Sequence, residues 1–198
     1  MEKQKPTSSI NIGRRLCALG IGGLLGVTAL PPTLRAASVP MLQGRFKPFI
    51  CFDRPRPAPL LGEFRDGNGR SVNALAFYGE AVLLNFWATW CAPCVWEMPQ
   101  LDRVQAKYAG RGLRVVAVCE DEGGADVAAA FYRRRAIHNL PVYADPGGAG
   151  IKKYGWIHGL PLTFLIDRKA HVIGYMDGPA DWDSPDADRL IDAELASK

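Results

Sequence analysis

The sequence predicts a layered α/β domain, and three observations carry that prediction. Residues 81–87 and 113–118 are near-continuous apolar runs, the pattern of strands buried on both faces. The stretch after each run, 92–108 and 125–136, repeats its apolar residues with helical spacing. A short strand, a hairpin and a closing helix then complete the chain. Strand–helix–strand–helix–strand followed by a hairpin and helix is the order of helices layered on a sheet.

Each element has its own signal. Asp66-Gly67-Asn68-Gly69 between 60–64 and 70–72 marks an early hairpin. In the helix over 92–108, Met98, Leu101, Gln105 and Tyr108 form one stripe. In the next, Val127, Ala130 and Phe131 face inward, and Arg133, Arg134 and Arg135 suit the negative end of the helix dipole. Residues 141–144 read as a short strand and 149–154 as a short helix. Residues 163–167 and 171–175 form a hairpin around Arg168-Lys169. Ser184-Pro185 opens the last helix, a capping side chain followed by proline at the first helical position. Its stripe is Ala187, Leu190, Ile191 and Leu195.

The head of the chain has a different composition. Residues 1–15 are polar and basic and end in Arg14-Arg15, residues 16–30 are uncharged and apolar, and Pro31-Pro32 precedes Ala36-Ala37-Ser38. That order matches an export signal, and the paired arginines with a Gly-rich apolar stretch lean toward the twin-arginine type. As a helix the 15-residue run spans only about 22 Å, against roughly 30 Å of bilayer hydrocarbon. Cleavage and retention as a membrane anchor through residues 16–30 both stay open, and either places the domain outside the cytoplasm, in the periplasm. The expected organisation is residues 1–38 as signal or anchor, 39–58 as a Pro-rich lead, and 59–198 as the folded domain. The head also holds the charge imbalance. Of a net +4, residues 1–38 contribute five basic side chains against one acid, so the remainder is neutral overall and offers nucleic acid no electrostatic grip.

Trp90-Cys91-Ala92-Pro93-Cys94 carries the chemistry. Two cysteines three apart in the first turn of a helix lie on one side, close enough to bridge. Cys91 falls at the helix N-terminus, where unpaired N–H groups and the dipole favour a thiolate, the attacking species in thiol–disulfide exchange. Cys94, one turn in, suits the resolving role. Half a zinc site is the competing reading, but no second pair of cysteines or histidines completes four ligands. Copper(I) binding by the same two sulfurs is a further alternative. A peroxidase of the Pro-x-x-x-Thr-x-x-Cys type is excluded, because Leu84 and Ala88 stand seven and three residues before Cys91, where that pattern needs Pro and Thr.

The run 86–94 with Glu97-Met98-Pro99, together with Gly159-Leu160-Pro161 before the strand at 163–167 and the stretch 178–184, resembles the TlpA/ResA family of exported thioredoxin-like proteins. The resemblance runs from about residue 57 to the C-terminus. It implies a thioredoxin-like fold with an N-terminal β-hairpin extension and a central insertion. It also implies a disulfide reductase without cofactor or metal, serving cytochrome c maturation or copper-oxidase assembly. Its electrons would come from a membrane thiol donor, and its substrates would be protein disulfides. Pro161 corresponds to the family's cis-proline facing the dithiol, and Trp90 would flank the exposed sulfur. Pro99 is expected to bend its helix. Asn85 stands where ordinary thioredoxins keep a buried aspartate, so a proton-handling acid is expected instead from Glu120, Asp121 or Glu122, with Glu122 taken first. Leu162 replaces the threonine often found after the cis-proline, and His158 lies three residues before Pro161.

Cys51 and Cys119 remain after the active pair is assigned. A bond between them would close a loop of about 68 residues and contribute up to about 4 kcal/mol. Alternatively Cys119 is a small buried hydrophobe.

Overall fold

The structure, a computed structural model, describes residues 49–58, 62–149, 152 and 159–197. The head at 1–38, most of the short helix expected at 149–154, and His158 lie outside the described residues.

Eight strands form one mixed sheet. In chain order they are β1 (Ile50–Pro57), β2 (Phe64–Asp66), β3 (Ser71–Val72), β4 (Ala81–Trp87), β5 (Leu113–Cys119), β6 (Tyr143–Ala144), β7 (Leu162–Ile166) and β8 (His171–Asp177). The helices are α1 (Ala92–Tyr108), α2 (Gly124–Arg135) and α3 (Pro185–Ala196). The spatial order is β1-β8-β7-β4-β5-β6-β2-β3. β4, β5 and β6 run parallel, while β7, β8 and β1 add antiparallel on one side and β2 and β3 on the other. α2 and β6 are the central insertion, β2 and β3 the extra hairpin, and the whole is a thioredoxin-like α/β fold.

Strand period divides the core. Ala81, Leu83 and Trp87 of β4 pack with Met98, Leu101 and Tyr108 of α1 and with Ala187, Leu190 and Ile191 of α3. Val82, Leu84 and Phe86 point the other way, toward Phe64, Phe164 and Tyr175. All seven residues of β4 are buried, which is why the strand reads as an unbroken apolar run. Asn85 is the exception in chemistry but not in burial, and it faces the α1 side.

The three longer helices that were expected form, with local adjustments. In α1, Val104 takes the core position beside Leu101, while Gln105 accepts the Val115 N–H with its side-chain oxygen at 2.7 Å. α2 is rotated by about one residue from its predicted stripe: Ala128, Phe131 and Tyr132 are the buried set, and Val127 and Ala130 are half-buried. Trp87 causes the shift by packing against both Phe131 and Tyr132, with ring centroids at 4.8 and 5.9 Å. Ser184 caps α3, its Oγ accepting the Ala187 N–H. Three ion pairs at one-turn intervals along α1 join it to α3 and the segment just before it: Arg103–Asp183, Lys107–Asp188 and Arg111–Asp192.

The Pro-rich lead contains a strand that the sequence pattern does not reveal. Residues 50–57 pair antiparallel with β8 at the sheet edge, with a register break between Cys51 and Arg56. An edge strand exposed on one flank shows little apolar alternation, and Pro55 falls in the irregular stretch where a missing N–H is tolerated. That position also separates the two spare cysteines. Cys51 lies on β1 and Cys119 on β5, four strand spacings apart across the sheet, so about 19 Å stands against a bridging limit near 7 Å. No disulfide joins them.

Candidate active site

The C-terminal ends of β4 and β5 and the start of β7 meet at one end of the sheet's central strands, because β4 is flanked by β5 in parallel and β7 in antiparallel register. The turn after β4 carries Thr89 and Trp90 into Cys91, which caps α1 in an extended conformation. Cys91 and Cys94 are joined by a disulfide with 5.3 Å between their Cα atoms. The Cys94 N–H also donates to Cys91 Sγ at 3.3 Å. The first turn of α1 holds no acidic residue, so no negative charge in that turn offsets the dipole at the Cys91 sulfur. Cys91 keeps 6% of its surface exposed, Cys94 none, and Trp90 stands out at 71%.

Pro161 arrives at the same end of the sheet. Phe86 pairs with Leu162, which places Pro161 level with the end of β4. The Leu160–Pro161 bond is cis, and the Pro161 carbonyl accepts the Gly178 N–H at 3.0 Å.

The acids of the β5–α2 loop go to three different places. Asp121 grips the turn before the dithiol, accepting from Thr89 N at 2.8 Å, Thr89 Oγ1 at 2.6 Å and Cys119 Sγ at 3.1 Å. Burial works to raise its pKa, but these hydrogen bonds outweigh it and hold the carboxyl below its usual value. The Cys119 thiol is pushed up to about 12, chiefly by burial, which fits the buried-hydrophobe reading. Glu120 is raised to about 7 by burial and by Asp145 nearby. Glu122 is exposed, with its carboxylate beside Gly147. Asp121 is therefore the loop acid that touches the segment leading to Cys91. Replacing it with alanine leaves the Thr89 and Cys119 donors without a partner, and a loss of about 1–3 kcal/mol in unfolding free energy is expected in urea titration.

The sequence reading did not single out Glu97 as a buried acid beside the dithiol helix turn. It lies one turn after Cys94 on the same helix and is fully buried. Asn85 Nδ2 donates to its Oε1 at 2.8 Å, while the Ala180 N–H and Trp182 Nε1 donate to its Oε2 at 3.2 and 3.3 Å. Burial raises its pKa to about 7 against those three donors. The available signal was the spacing: positions 94 and 97 are i and i+3 on a core-facing helix, and the polar Asn85 in an apolar strand needed a partner. Among the described residues, no group of three His, Cys, Asp or Glu side chains is arranged to hold a metal ion.

Comparison with known proteins agrees with this geometry. The chain is 39% identical over 113 residues to the thiol-disulfide oxidoreductase ResA of Bacillus thuringiensis subsp. konkukian, covering 57% of this chain and 64% of the relative. The ResA of Bacillus subtilis is 31% identical over 113 residues, covering 57% and 62%. The chain thus spans less than two thirds of the length of these relatives. A crystal structure of a thioredoxin-family thiol:disulfide interchange protein from Chlorobium tepidum superposes with a TM-score of 0.59 at 30% identity, covering 72% of this chain and 98% of the other. StoA of Bacillus subtilis shares the fold, with a TM-score of 0.51 at 22% identity over 64% and 93% of the two chains. The Redoxin family profile matches residues 55–191, and with most of its length inside that match the chain belongs to the Redoxin family.

Proposed function

We propose that this protein is an extracytoplasmic thiol:disulfide oxidoreductase that reduces disulfides of partner proteins. The observation that carries the reading is the Cys91–Cys94 disulfide at the N-terminus of α1, at the end of the sheet that also presents Pro161. In the reduced protein the Cys91 thiolate attacks a partner disulfide, forming a bond to one partner sulfur and releasing the other. Cys94 then loses its proton and attacks Cys91, so the partner leaves reduced and the chain is left as the disulfide. Glu97, one turn from Cys94, rather than Glu122 at the exposed loop, takes that proton. A carboxylate with a pKa near 7 is suited to accepting and returning a proton near neutral pH. Trp90 and Pro161 frame the partner chain. Residues 1–38 direct export to the periplasm, with 39–58 leading into the domain at 59–198. A membrane thiol donor returns the electrons, and the assembly of cytochrome c or of an oxidase copper centre supplies the substrates.

The reduction potential tests the direction. Equilibration against glutathione is expected to give a value more negative than about −200 mV, with the reduced protein cleaving insulin disulfides. A value near −120 mV would make the protein an oxidant and overturn the reductase reading. Absence of any exchange would overturn the oxidoreductase reading itself.

A further inference from the structure

The segment between β8 and α3, residues 178–184, is tied to the site at three points. The Gly178 N–H binds the Pro161 carbonyl. Ala180 N–H and Trp182 Nε1 both converge on Oε2 of Glu97. Asp183 pairs with Arg103, one and a half turns further along α1 than Glu97. Ala180 and Trp182 are buried, Trp182 at 1% exposure. An indole is a large apolar body with a single N–H donor, and here that donor is spent on a carboxylate in the core rather than on solvent. A core position that needed only volume would be filled as well by phenylalanine or leucine.

We infer that Trp182 is a positioning residue for the exchange reaction: its indole N–H, with the amide of Ala180, fixes the Glu97 carboxylate and favours its charged form. The inference rests on the proposed proton step at Glu97. The Ala180 amide survives every substitution except proline, and Asn85 serves the other oxygen. Trp182 is therefore the side chain through which the segment sets how readily Glu97 gives up its proton. The charges around Glu97 leave that role to hydrogen bonding. β4 and β7 carry no charged residue. On α1, Arg103 is engaged by Asp183 and Asp102 by the amides of His138 and Asn139. Asp177 closes β8 at an exposed position, and Asp181 is half-buried. The influences on Glu97 are its burial and the three donors from Ala180, Asn85 and Trp182, with no charged side chain among them.

Carbon-13 NMR of the side-chain carboxyls in the oxidised protein isolates the effect, because a disulfide does not titrate. Glu97→Gln assigns the resonance. In Trp182→Phe, the charged form loses a donor and its pKa rises, so the Glu97 midpoint is expected to move up by about 0.5–1 pH unit. The acid limb of the exchange rate of the reduced protein is expected to move with it. Should the phenylalanine variant not fold, replacement of Trp182 by 3-benzothienylalanine keeps the shape without the N–H. An unmoved midpoint, with or without a fall in stability, overturns the positioning role. If Glu97→Gln leaves the pH profile of exchange unchanged, the proton step at Glu97 fails, and this inference fails with it.

Discussion

Cys94→Ser is expected to turn the protein into a covalent trap, accumulating mixed disulfides with its partners through Cys91, whereas Cys91→Ser accumulates none. The asymmetry follows from where α1 begins. Cys91 is the N-cap, outside the first helical turn, and retains accessible surface, while Cys94 is inside the turn and has none. A partner disulfide therefore reaches one sulfur and not the other. The N–H of Cys94, which donates to Cys91 Sγ, also stabilises negative charge on that sulfur and makes it the better nucleophile and leaving group. With serine at 94 the mixed disulfide has no internal thiol to release it. Non-reducing electrophoresis of each variant after exposure to oxidised, unfolded extracellular protein reads the result directly. Equal trapping by both variants, or trapping by Cys91→Ser alone, would reverse or dissolve the assignment.

How far the site was legible in the sequence depends on which residues announce themselves locally. β4 and α1 were readable to the residue because a fully buried strand and a proline-marked helix start leave signals within a few positions. The dithiol was readable for the same reason: i and i+3 at a helix N-terminus is a local geometry. Asp121 and Glu97 were not readable in that way. Both are acids whose meaning comes from partners 32 and 12 residues distant, Thr89 and Asn85. Three adjacent acids at 120–122 look alike in a string of letters. The fold separates them by sending one to Thr89, one into a half-buried position near Asp145, and one to solvent.

Edge strand β1 shows the opposite limit. Its burial is slight and its pairing is with a strand more than a hundred residues later, so neither period nor a neighbouring turn betrays it. The spare cysteines were ambiguous for the same cause. Whether Cys51 meets Cys119 is a question of strand order, and strand order is not local. Once β1 is seen at the edge and β5 near the middle, the question is closed by distance alone.

Glu97→Gln is expected to make the protein more stable at alkaline pH and slower in exchange. Glu97 has a folded pKa raised from 4.5 to about 7, principally by burial. The folded state therefore disfavours its charged form. The stability linked to this group is fully present below the unfolded pKa and is lost as pH rises through about 7. Glutamine carries no charge at any of these pH values, so the variant keeps the low-pH stability. At pH 8 the gain is roughly 3 kcal/mol, from a shift worth about 1.4 kcal/mol per pH unit; at pH 4 the two proteins should be alike. The amide can be accommodated because Asn85 Oδ1 has no hydrogen-bond partner. Rotation of the Asn85 amide would turn that oxygen toward the new Nε2 and still leave the Thr163 hydroxyl to donate to it. Glu120 and Glu194, also raised to about 7, give both proteins a common slope, so the difference between the two unfolding curves isolates Glu97. Exchange should fall on the order of 100-fold, with the acid limb of its pH profile removed. Urea titrations at pH 4 and pH 8, paired with single-turnover exchange rates, measure both halves. A variant no more stable at pH 8 and within twofold of the parent in rate would remove Glu97 from the mechanism.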